Sequence, residues 1–162
     1  MNIQPSHKVT PFLWFDSQAE TAARFYTELV PNSRINDIAY WGKGARFPEG
    51  TVMSVTFELD GQQFIALNAG PHYQLNPAFS LFVSCDDQTE VDRYWDALLA
   101  DGGVPNQCGW LTDRFGVTWQ IVPKALGRLL SDPEPERAGR AMQAMLGMVK
   151  LDVAALEKAA DG

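Results

Sequence analysis

The amino-acid sequence predicts an α+β fold in which two βαβββ modules are followed by a helical C-terminal tail. The first observation is an internal similarity: residues 24–29 (RFYTEL) and 93–98 (RYWDAL) match in type at every position except Glu28 against Ala97. The second is that each segment lies on an amphipathic pattern that follows a strand-like run and precedes a hairpin signal. A repeat with a period of about 69 residues indicates a duplicated supersecondary unit.

Length and composition favour a single domain spanning residues 1–162, with modules at about 8–70 and 78–123 and a tail at about 124–160. The net charge of −7 argues against a nucleic-acid partner. No apolar run approaches the roughly 20 residues that span a bilayer, and the N-terminal segment lacks the basic-then-apolar order of a signal peptide. We therefore expect no membrane partner, a cytoplasmic location, and free thiols at Cys85 and Cys108.

In the first module, residues 8–15 (KVTPFLWF) are typical of a strand. Ser17 and Glu20 form a predicted capping box that begins a helix ending near Leu29. A second strand is predicted at 33–41 and a Gly- and Pro-containing loop at 42–50. Strands at 52–59 and 62–68 then flank Asp60-Gly61, a strong hairpin signal.

The second module repeats this order. A strand at 78–85 precedes a capping box at Asp87 and Glu90, and the helix runs to about Ala100, where Gly102-Gly103 stops it. Residues 107–123 (QCGWLTDRFGVTWQIVP) predict a β-hairpin that turns at Gly116. From Ala125 the chain is predicted to be helical to about residue 160, with a joint at 133–135, and this tail would serve packing or dimerisation.

Strand alternation sorts the side chains into two faces. One face is aliphatic and suited to cover by a helix: Val9, Leu13, Phe15, Val55, Phe57, Leu59, Ile65, Leu67, Leu81, Val83, Trp119 and Ile121. The other mixes aromatic rings with hydroxyls and amides: Thr10, Phe12, Trp14, Ser54, Thr56, Glu58, Phe64, Ala66, Asn68, Ser80, Phe82, Ser84, Thr118 and Gln120. Such a mixture is typical of a small-molecule site, although a hydrated sheet face or a subunit interface has the same composition.

From this second face and the adjacent hairpin we predict a ligand pocket made of Thr10, Phe12, Trp14, Asn68, Ser80, Phe82, Trp110, Thr118 and Gln120. Glu58 is the one carboxylate that alternation directs into it. Burial there would raise the pKa of Glu58 towards the range of a general base, while its position beside the Asp60-Gly61 turn argues against this role. Cys108 has no histidine near it in sequence, and Asp113 and Arg114 are expected to organise a turn.

Three segments carry a family resemblance: TPFLWFDSQAETAARFY at 10–26, ALNAGP at 66–71 and CGWLTDRFGVTWQIVP at 108–123. With the duplicated module they resemble the vicinal oxygen chelate superfamily of glyoxalases, extradiol dioxygenases and bleomycin-resistance proteins. The resemblance is to its PhnB-like branch, often labelled 3-demethylubiquinone-9 3-methyltransferase, and extends to KLDVAALEKA in the tail. It implies curled mixed sheets of the glyoxalase/bleomycin-resistance type and, commonly, a homodimer.

In metal-using members of the superfamily, His and Glu ligands come from the first and last strands of each module. The resemblance carries these positions to the neighbourhood of Thr10, Ala66, Ser80 and Gln120, none of which is a histidine or carboxylate. A neutral amide with hydroxyls is a poor donor set for a divalent metal, so we predict no metal and no cofactor. The methyltransferase label is doubtful as well, because Gly102-Gly103 follows a helix instead of joining a parallel strand to one.

The sequence therefore predicts a metal-independent small-molecule-binding protein, acting as a homodimer on an unidentified ligand, with catalysis left open. One alternative is a metal-dependent lyase or dioxygenase-like enzyme with ligands not recognised in the sequence. Another is an antibiotic-sequestering resistance protein, since an acidic surface suits a cationic drug.

Overall fold

The computed structural model describes residues 5–162. The first four residues, part of the segment used to argue against a signal peptide, lie outside the described residues. The chain divides into two compact units, one ending at Leu75 and one spanning Asn76–Gly162, so the boundary falls between the predicted modules. In the described part of the chain, no helix has the length and apolar character needed to cross a membrane.

The first unit is a four-stranded mixed sheet with one helix. Its elements are β1 (Phe12–Phe15), α1 (Ala19–Leu29), β2 (Arg34–Tyr40), β3 (Val52–Leu59) and β4 (Gln62–Asn68). The strand order is β1-β4-β3-β2, with β1 parallel to β4 and the other pairs antiparallel. The predicted βαβββ order is confirmed.

The first strand is shorter than predicted, because residues 8–11 precede it. Val9 is 84% exposed, so its predicted place on the helix-covered face was wrong. Thr10 also lies outside the strand, where its hydroxyl donates to the His7 carbonyl at 3.3 Å.

A two-residue turn at Asp60 and Gly61 fixes the register of β3 and β4. Both residues have positive φ, 46° and 79°, as a type I′ hairpin turn requires. Leu59 therefore pairs with Gln62, and Phe57 pairs with Phe64 further along.

Residues paired in this way point to the same side of the sheet. The Tyr26 ring of α1 lies 6.5 Å from the Phe57 ring, which identifies the side that α1 covers. We call this side the helix face of a sheet and the opposite side its open face.

The register corrects the predicted faces of β4. Val55 pairs with Ala66 and Leu13 also pairs with Ala66, so Phe64, Ala66 and Asn68 lie on the helix face. Ile65 and Leu67 lie on the open face with Thr56 and Ser54. The alternation was recognised, but its phase in β4 was assigned the wrong way round.

The second unit repeats the arrangement with β5 (Ser80–Cys85), α2 (Gln88–Leu99), β6 (Val104–Pro105), β7 (Trp110–Thr112) and β8 (Thr118–Pro123). The order is β5-β8-β7-β6, with β5 parallel to β8. The predicted hairpin is confirmed as β7 and β8, preceded by a 3-10 turn at Gln107–Gly109. The two-residue strand β6 is the third strand that the repeat implies after α2, although the sequence did not indicate its position.

The predicted faces of the second sheet agree with its pairing. Leu81 pairs with Trp119 and Val83 with Ile121, and Trp119 and Ile121 are buried. Cys85 shares this side and is also buried, and α2 packs against β5, β7 and β8, so this buried side is the helix face. The predicted pocket residues of this sheet lie on its open face: Ser80, Phe82, Trp110, Thr118 and Gln120.

The two capping boxes have different outcomes. At α2 the predicted cap is present, because Asp87 Oδ1 accepts from Glu90 N at 2.9 Å, while Glu90 Oε2 reaches back to Asp86 N at 2.6 Å, one residue before the N-cap. At α1 the prediction was wrong, because the N-cap residue is Gln18 and no side chain within the box caps the helix. The Oδ1 atom of Asn68 instead accepts from Ala19 N at 2.8 Å.

The tail forms α3 (Lys124–Leu130), α4 (Pro135–Leu146) and α5 (Val153–Asp161). Its buried side chains form a core cluster within the second unit: Leu126, Leu129, Ala141, Leu151, Leu156 and Ala160. The start of the hairpin is joined to the tail, since Cys108 N donates to Met148 O at 2.8 Å and Gly109 N to Val149 O at 2.7 Å. The tail thus has the packing role predicted for it, and both cysteines are free thiols as expected.

Candidate ligand-binding site

Two rows of side chains cross the open face of the second sheet. In the first row, Phe82 on β5 pairs with Gln120 on β8, and Gln120 pairs with Trp110 on β7. In the second row, Ser80 pairs with Thr118, which pairs with Thr112. An amide thus lies between two aromatic residues, beside a row of three hydroxyls.

Hydrogen bonds hold the polar groups of these rows. Gln120 Nε2 donates to Ser80 Oγ at 2.9 Å, which links the two rows across β5 and β8. The Thr112 and Thr118 hydroxyl oxygens lie 3.4 Å apart. Phe82 is 59% exposed, whereas Thr118 is only 3% exposed. Gln120, Trp110, Ser80 and Thr112 are all partly exposed, so both rows are accessible to a ligand except at Thr118.

The open face of the first sheet carries Phe12 and Trp14 from β1. Phe12 is 51% exposed. The Trp14 indole is fixed, because Nε1 donates to Gly70 O at 2.9 Å and its ring meets Tyr73 edge-on with centroids 5.0 Å apart. Trp14 therefore also has a structural role, since it anchors the loop that follows β4.

Two of the predicted pocket residues are not on an open face. Asn68 is buried on the helix face, where its amide accepts from Ala19 N and donates to Val52 O at 3.2 Å. Thr10 precedes β1 and is bonded to His7. Neither residue is brought next to Ser80, Phe82 or Gln120 by the pairing of its own sheet, and we leave both out of the site.

Glu58 lies on the open face of the first sheet, opposite Gln63, and is held in an ion pair. Its carboxylate contacts Arg34 Nη2 at 2.9 Å and accepts from Asn36 Nδ2 at 2.9 Å. The hydrogen bond from Asn36, together with the Arg34 charge, lowers the pKa of Glu58 and outweighs desolvation. The predicted rise of this pKa was wrong, so Glu58 lacks the property that made it a candidate general base.

Arg34 and Asn36 were missed by the sequence reasoning. They occupy alternate positions on β2, so their side chains lie on the same side of the strand and can both reach one carboxylate. The register of β2 against β3 shifts between Ile35 and Asp37 and again between Ala39 and Tyr40. Such irregularities cannot be predicted from the sequence, so the β2 residues that face Glu58 could not be identified from strand alternation.

The donor set does not fit the divalent metal that the superfamily resemblance implies. In β4 the residues at and beside the carried-over position are Ile65, Ala66 and Leu67, none of which has a ligating side chain. In the second sheet the corresponding pair is Ser80 and Gln120, bonded to each other. Among residues 5–162, no group of three His, Cys, Asp or Glu side chains is placed to hold a metal ion.

A separate groove, with a volume of about 740 Å³, crosses α4 and α5 of the tail. It is open to solvent and is lined by Glu136, Gly139, Arg140, Gln143, Ala144 and Ala159. Arg140 is already engaged there, since its Nε donates to Ala160 O at 3.0 Å. The groove includes none of the predicted site residues, and we give the open face of the second sheet precedence because its polar and aromatic groups converge.

Comparison with known proteins identifies the family. The model of the family described as 3-demethylubiquinone-9 3-methyltransferase matches residues 7–122. The chain belongs to this family. It is a PhnB-like branch of the vicinal oxygen chelate superfamily, as the three sequence segments implied.

Two solved structures illustrate the relationship to this family. A PhnB protein from Bacillus cereus, given the same methyltransferase description, is 34% identical, with 72% of this chain and 99% of that chain covered and a TM-score of 0.66. A protein from Pseudomonas aeruginosa is 21% identical, with 73% and 98% covered and a TM-score of 0.60, and shows the shared fold. Among the curated proteins, none matches the chain.

The family match ends at residue 122, inside β8, and all three tail helices follow it. The tail segment KLDVAALEKA, to which the resemblance was extended, therefore lies outside the matched residues. All residues of the open face of the second sheet, from Ser80 to Val122, lie within the matched range.

Proposed function

We propose that the protein binds a small organic molecule on the open face of the second sheet, without a metal ion. The observation that carries the proposal is the Gln120 amide, bonded to Ser80 at 2.9 Å and paired in the sheet with both Phe82 and Trp110. Aromatic surface beside a few fixed polar groups is the usual composition of a ligand site.

The same observation argues against a metal-dependent lyase or dioxygenase. Zinc and iron sites use imidazole, thiolate or carboxylate ligands, which bring negative charge or a strong nitrogen donor to the ion. The Gln120 amide and the Ser80 hydroxyl are neutral oxygen and nitrogen groups that already bond to each other. A divalent ion would have to break that bond and would gain only weak ligands.

Methyl transfer has little support in the chain beyond the family description. A Rossmann-type donor site needs a glycine-rich connection between a parallel strand and the helix that follows. Here β1 is joined to α1 by residues 16–18 (DSQ) and β5 is joined to α2 by residues 86–87 (DD), without a glycine in either. Acidic residues at these connections would also repel a phosphate or carboxylate group.

Metal analysis of the purified protein tests the metal-free part of the proposal. The protein would be produced in medium supplemented with zinc, iron, manganese and nickel, and its content would be measured by mass spectrometry after gel filtration. We expect each metal to be far below one ion per chain. A stoichiometric ion that is lost in a Gln120→Leu variant would contradict the proposal.

A fragment screen observed by protein NMR tests the binding site. We expect bound fragments to shift the signals of residues around Gln120, and Phe82→Ala to weaken their binding. Phe79→Ala is a matched control, because Phe79 is an exposed phenylalanine that precedes β5 and lies outside the row. Fragments whose shifts all map to other surfaces, unaffected by Phe82→Ala, would overturn the proposed site.

We further propose that the protein acts in the cytoplasm as a homodimer. The free thiols of Cys85 and Cys108 support a reducing location. Exposed apolar side chains of the tail region, at Met142, Leu146 and Val149, support self-association. Light scattering at micromolar concentration should give the mass of a dimer, and the 18.0 kDa mass of one chain would contradict it.

A further inference from the structure

The row made of Phe82, Gln120 and Trp110 has the dimensions of a small ring system. The three residues lie on adjacent strands β5, β8 and β7. Neighbouring strands are about 4.8 Å apart, so the row spans roughly 10 Å. A fused two-ring molecule is shorter than this span. Its ring system can lie against an aromatic residue of the row while its edge reaches the Gln120 amide.

The Gln120 amide offers an acceptor to that edge. Its Nε2 atom donates a hydrogen bond to Ser80 Oγ. Within residues 5–162 no group donates to Gln120 Oε1, and no fully buried side-chain nitrogen or oxygen lacks a partner. The Oε1 atom is therefore reachable by solvent on the open face, and a ligand that replaces water there must supply a donor.

The open face of the second sheet carries no charged side chain. By the strand pairing its described members are Ser80, Phe82, Ser84, Val104, Trp110, Thr112, Thr118, Gln120 and Val122. A phosphate, carboxylate or ammonium group would lose hydration at this face without gaining an opposite charge. The side chains of this face therefore favour a neutral ligand.

We infer that Phe82, Gln120 and Trp110 recognise a flat, neutral aromatic ring that bears an N–H or O–H donor. The ring lies against Trp110 and Phe82, and its donor bonds to Gln120 Oε1. This inference rests on the proposed function, because it specifies the ligand class of the same site. A second copy of the chain seated on Phe82 is the competing occupant, and it would not distinguish ring donors.

Indole and 1-methylindole test the donor, because they have the same ring system and differ in the N–H. Binding would be measured by protein NMR titration of the full chain. The wild-type protein should bind indole about five-fold more tightly, the ratio expected for one neutral hydrogen bond. Gln120→Leu should remove this preference, whereas Gln120→Glu should retain it because a carboxylate also accepts.

Gln62→Leu is the matched control, since Gln62 is an exposed glutamine on β4 of the first sheet, and it should leave the preference unchanged. Equal binding of the two probes to the wild type would overturn the inference, as would shifts that map away from Trp110. Failure of both probes to bind would also overturn it. If other fragments still bind at this face, the proposed ligand site remains and only the ligand class is wrong. If no fragment binds there, both the ligand site and the ligand class are wrong.

Discussion

Asn68, on the last strand of the first unit, caps the helix that follows the first strand: its Oδ1 accepts from Ala19 N at 2.8 Å. The first N–H groups of a helix have no partner within the helix, and a side-chain oxygen supplied by another element satisfies one of them. The same amide donates through Nδ2 to Val52 O on β3. One buried side chain thus connects α1 with β3 and β4.

Replacing Asn68 with alanine should destabilise the protein by about 2 kcal/mol, because a buried N–H and a partly buried C=O both lose their partner. Urea denaturation followed by circular dichroism measures the effect. Ser17→Ala is the matched control, because it removes the side chain that the sequence pattern predicts as the N-cap of α1. We expect it to change the stability by less than about 0.5 kcal/mol. A loss for Ser17→Ala equal to that for Asn68→Ala would show that the capping box forms in solution.

The position of Asn68 on the helix face follows from the register of β3 and β4. The bounds of β3 and β4 were predicted as found, at 52–59 and 62–68, and so was the turn between them. A two-residue turn fixes the pairing, so counting back from Asp60-Gly61 places Phe57 opposite Phe64. Aliphatic content alone predicts that the more aliphatic set of each strand is the one the helix covers. In β4 that set, Ile65 and Leu67, lies on the open face.

In the second sheet the same reasoning succeeded because its faces differ more clearly. Trp119 and Ile121 alternate with Thr118 and Gln120, and the pairing confirms that the two sets lie on opposite sides. The bond between Gln120 and Ser80 was beyond prediction, since it joins residues 40 positions apart through a parallel register. Local patterns predict which residues share a strand face, whereas the contacts across strands depend on the register.

The hairpin turn between β7 and β8 is organised by the buried carboxylate of Asp113. Its Oδ1 accepts from Phe115 N at 2.8 Å and from Val117 N at 3.0 Å, and its Oδ2 accepts from Trp119 Nε1 at 2.9 Å. Asp113→Ala should cost about 3 kcal/mol, because three donors, one of them on a buried indole, lose a charged acceptor. Chemical denaturation with tryptophan fluorescence measures this loss.

Asp101→Ala provides the comparison for Asp113→Ala. Asp101 has a side chain that is 77% exposed, and its carboxylate pairs with Arg114 Nη1 at 2.8 Å. Exposed ion pairs contribute little, so the change should be below about 1 kcal/mol. Similar losses in the two variants would mean that charge, and not the hydrogen-bond geometry of the turn, determines the effect.

Glu58 should stabilise the first unit as an ionised partner of Asn36 and Arg34. Because its pKa in the folded protein is lowered below the ordinary value of 4.5, its contribution is present above that value and is lost as the pH falls through the folded-state pKa. Wild type should therefore exceed Glu58→Gln in urea midpoint at neutral pH, and the difference should shrink in acid. A difference that grows on acidification would indicate a raised pKa and restore Glu58 as a candidate base.

The two thiols should differ in reactivity because only one is accessible. Cys85 is fully buried, and burial raises its pKa to about 12, whereas Cys108 is partly exposed within the 3-10 turn. Iodoacetamide at mildly alkaline pH should modify Cys108 alone in the folded protein and both thiols in urea, as measured by peptide mass spectrometry.

The raised pKa of Cys85 also predicts how the stability of the folded protein changes at high pH. A thiol whose folded-state pKa is raised contributes stability below the unfolded value of 9.0, and this contribution declines as the pH rises from there towards about 12. The urea midpoint of the wild type should therefore fall more steeply over this range than that of Cys85→Ala. Cys108→Ser should follow the wild type. Rapid labelling of Cys85 in the folded protein would show instead that the contact between β5 and α2 opens readily.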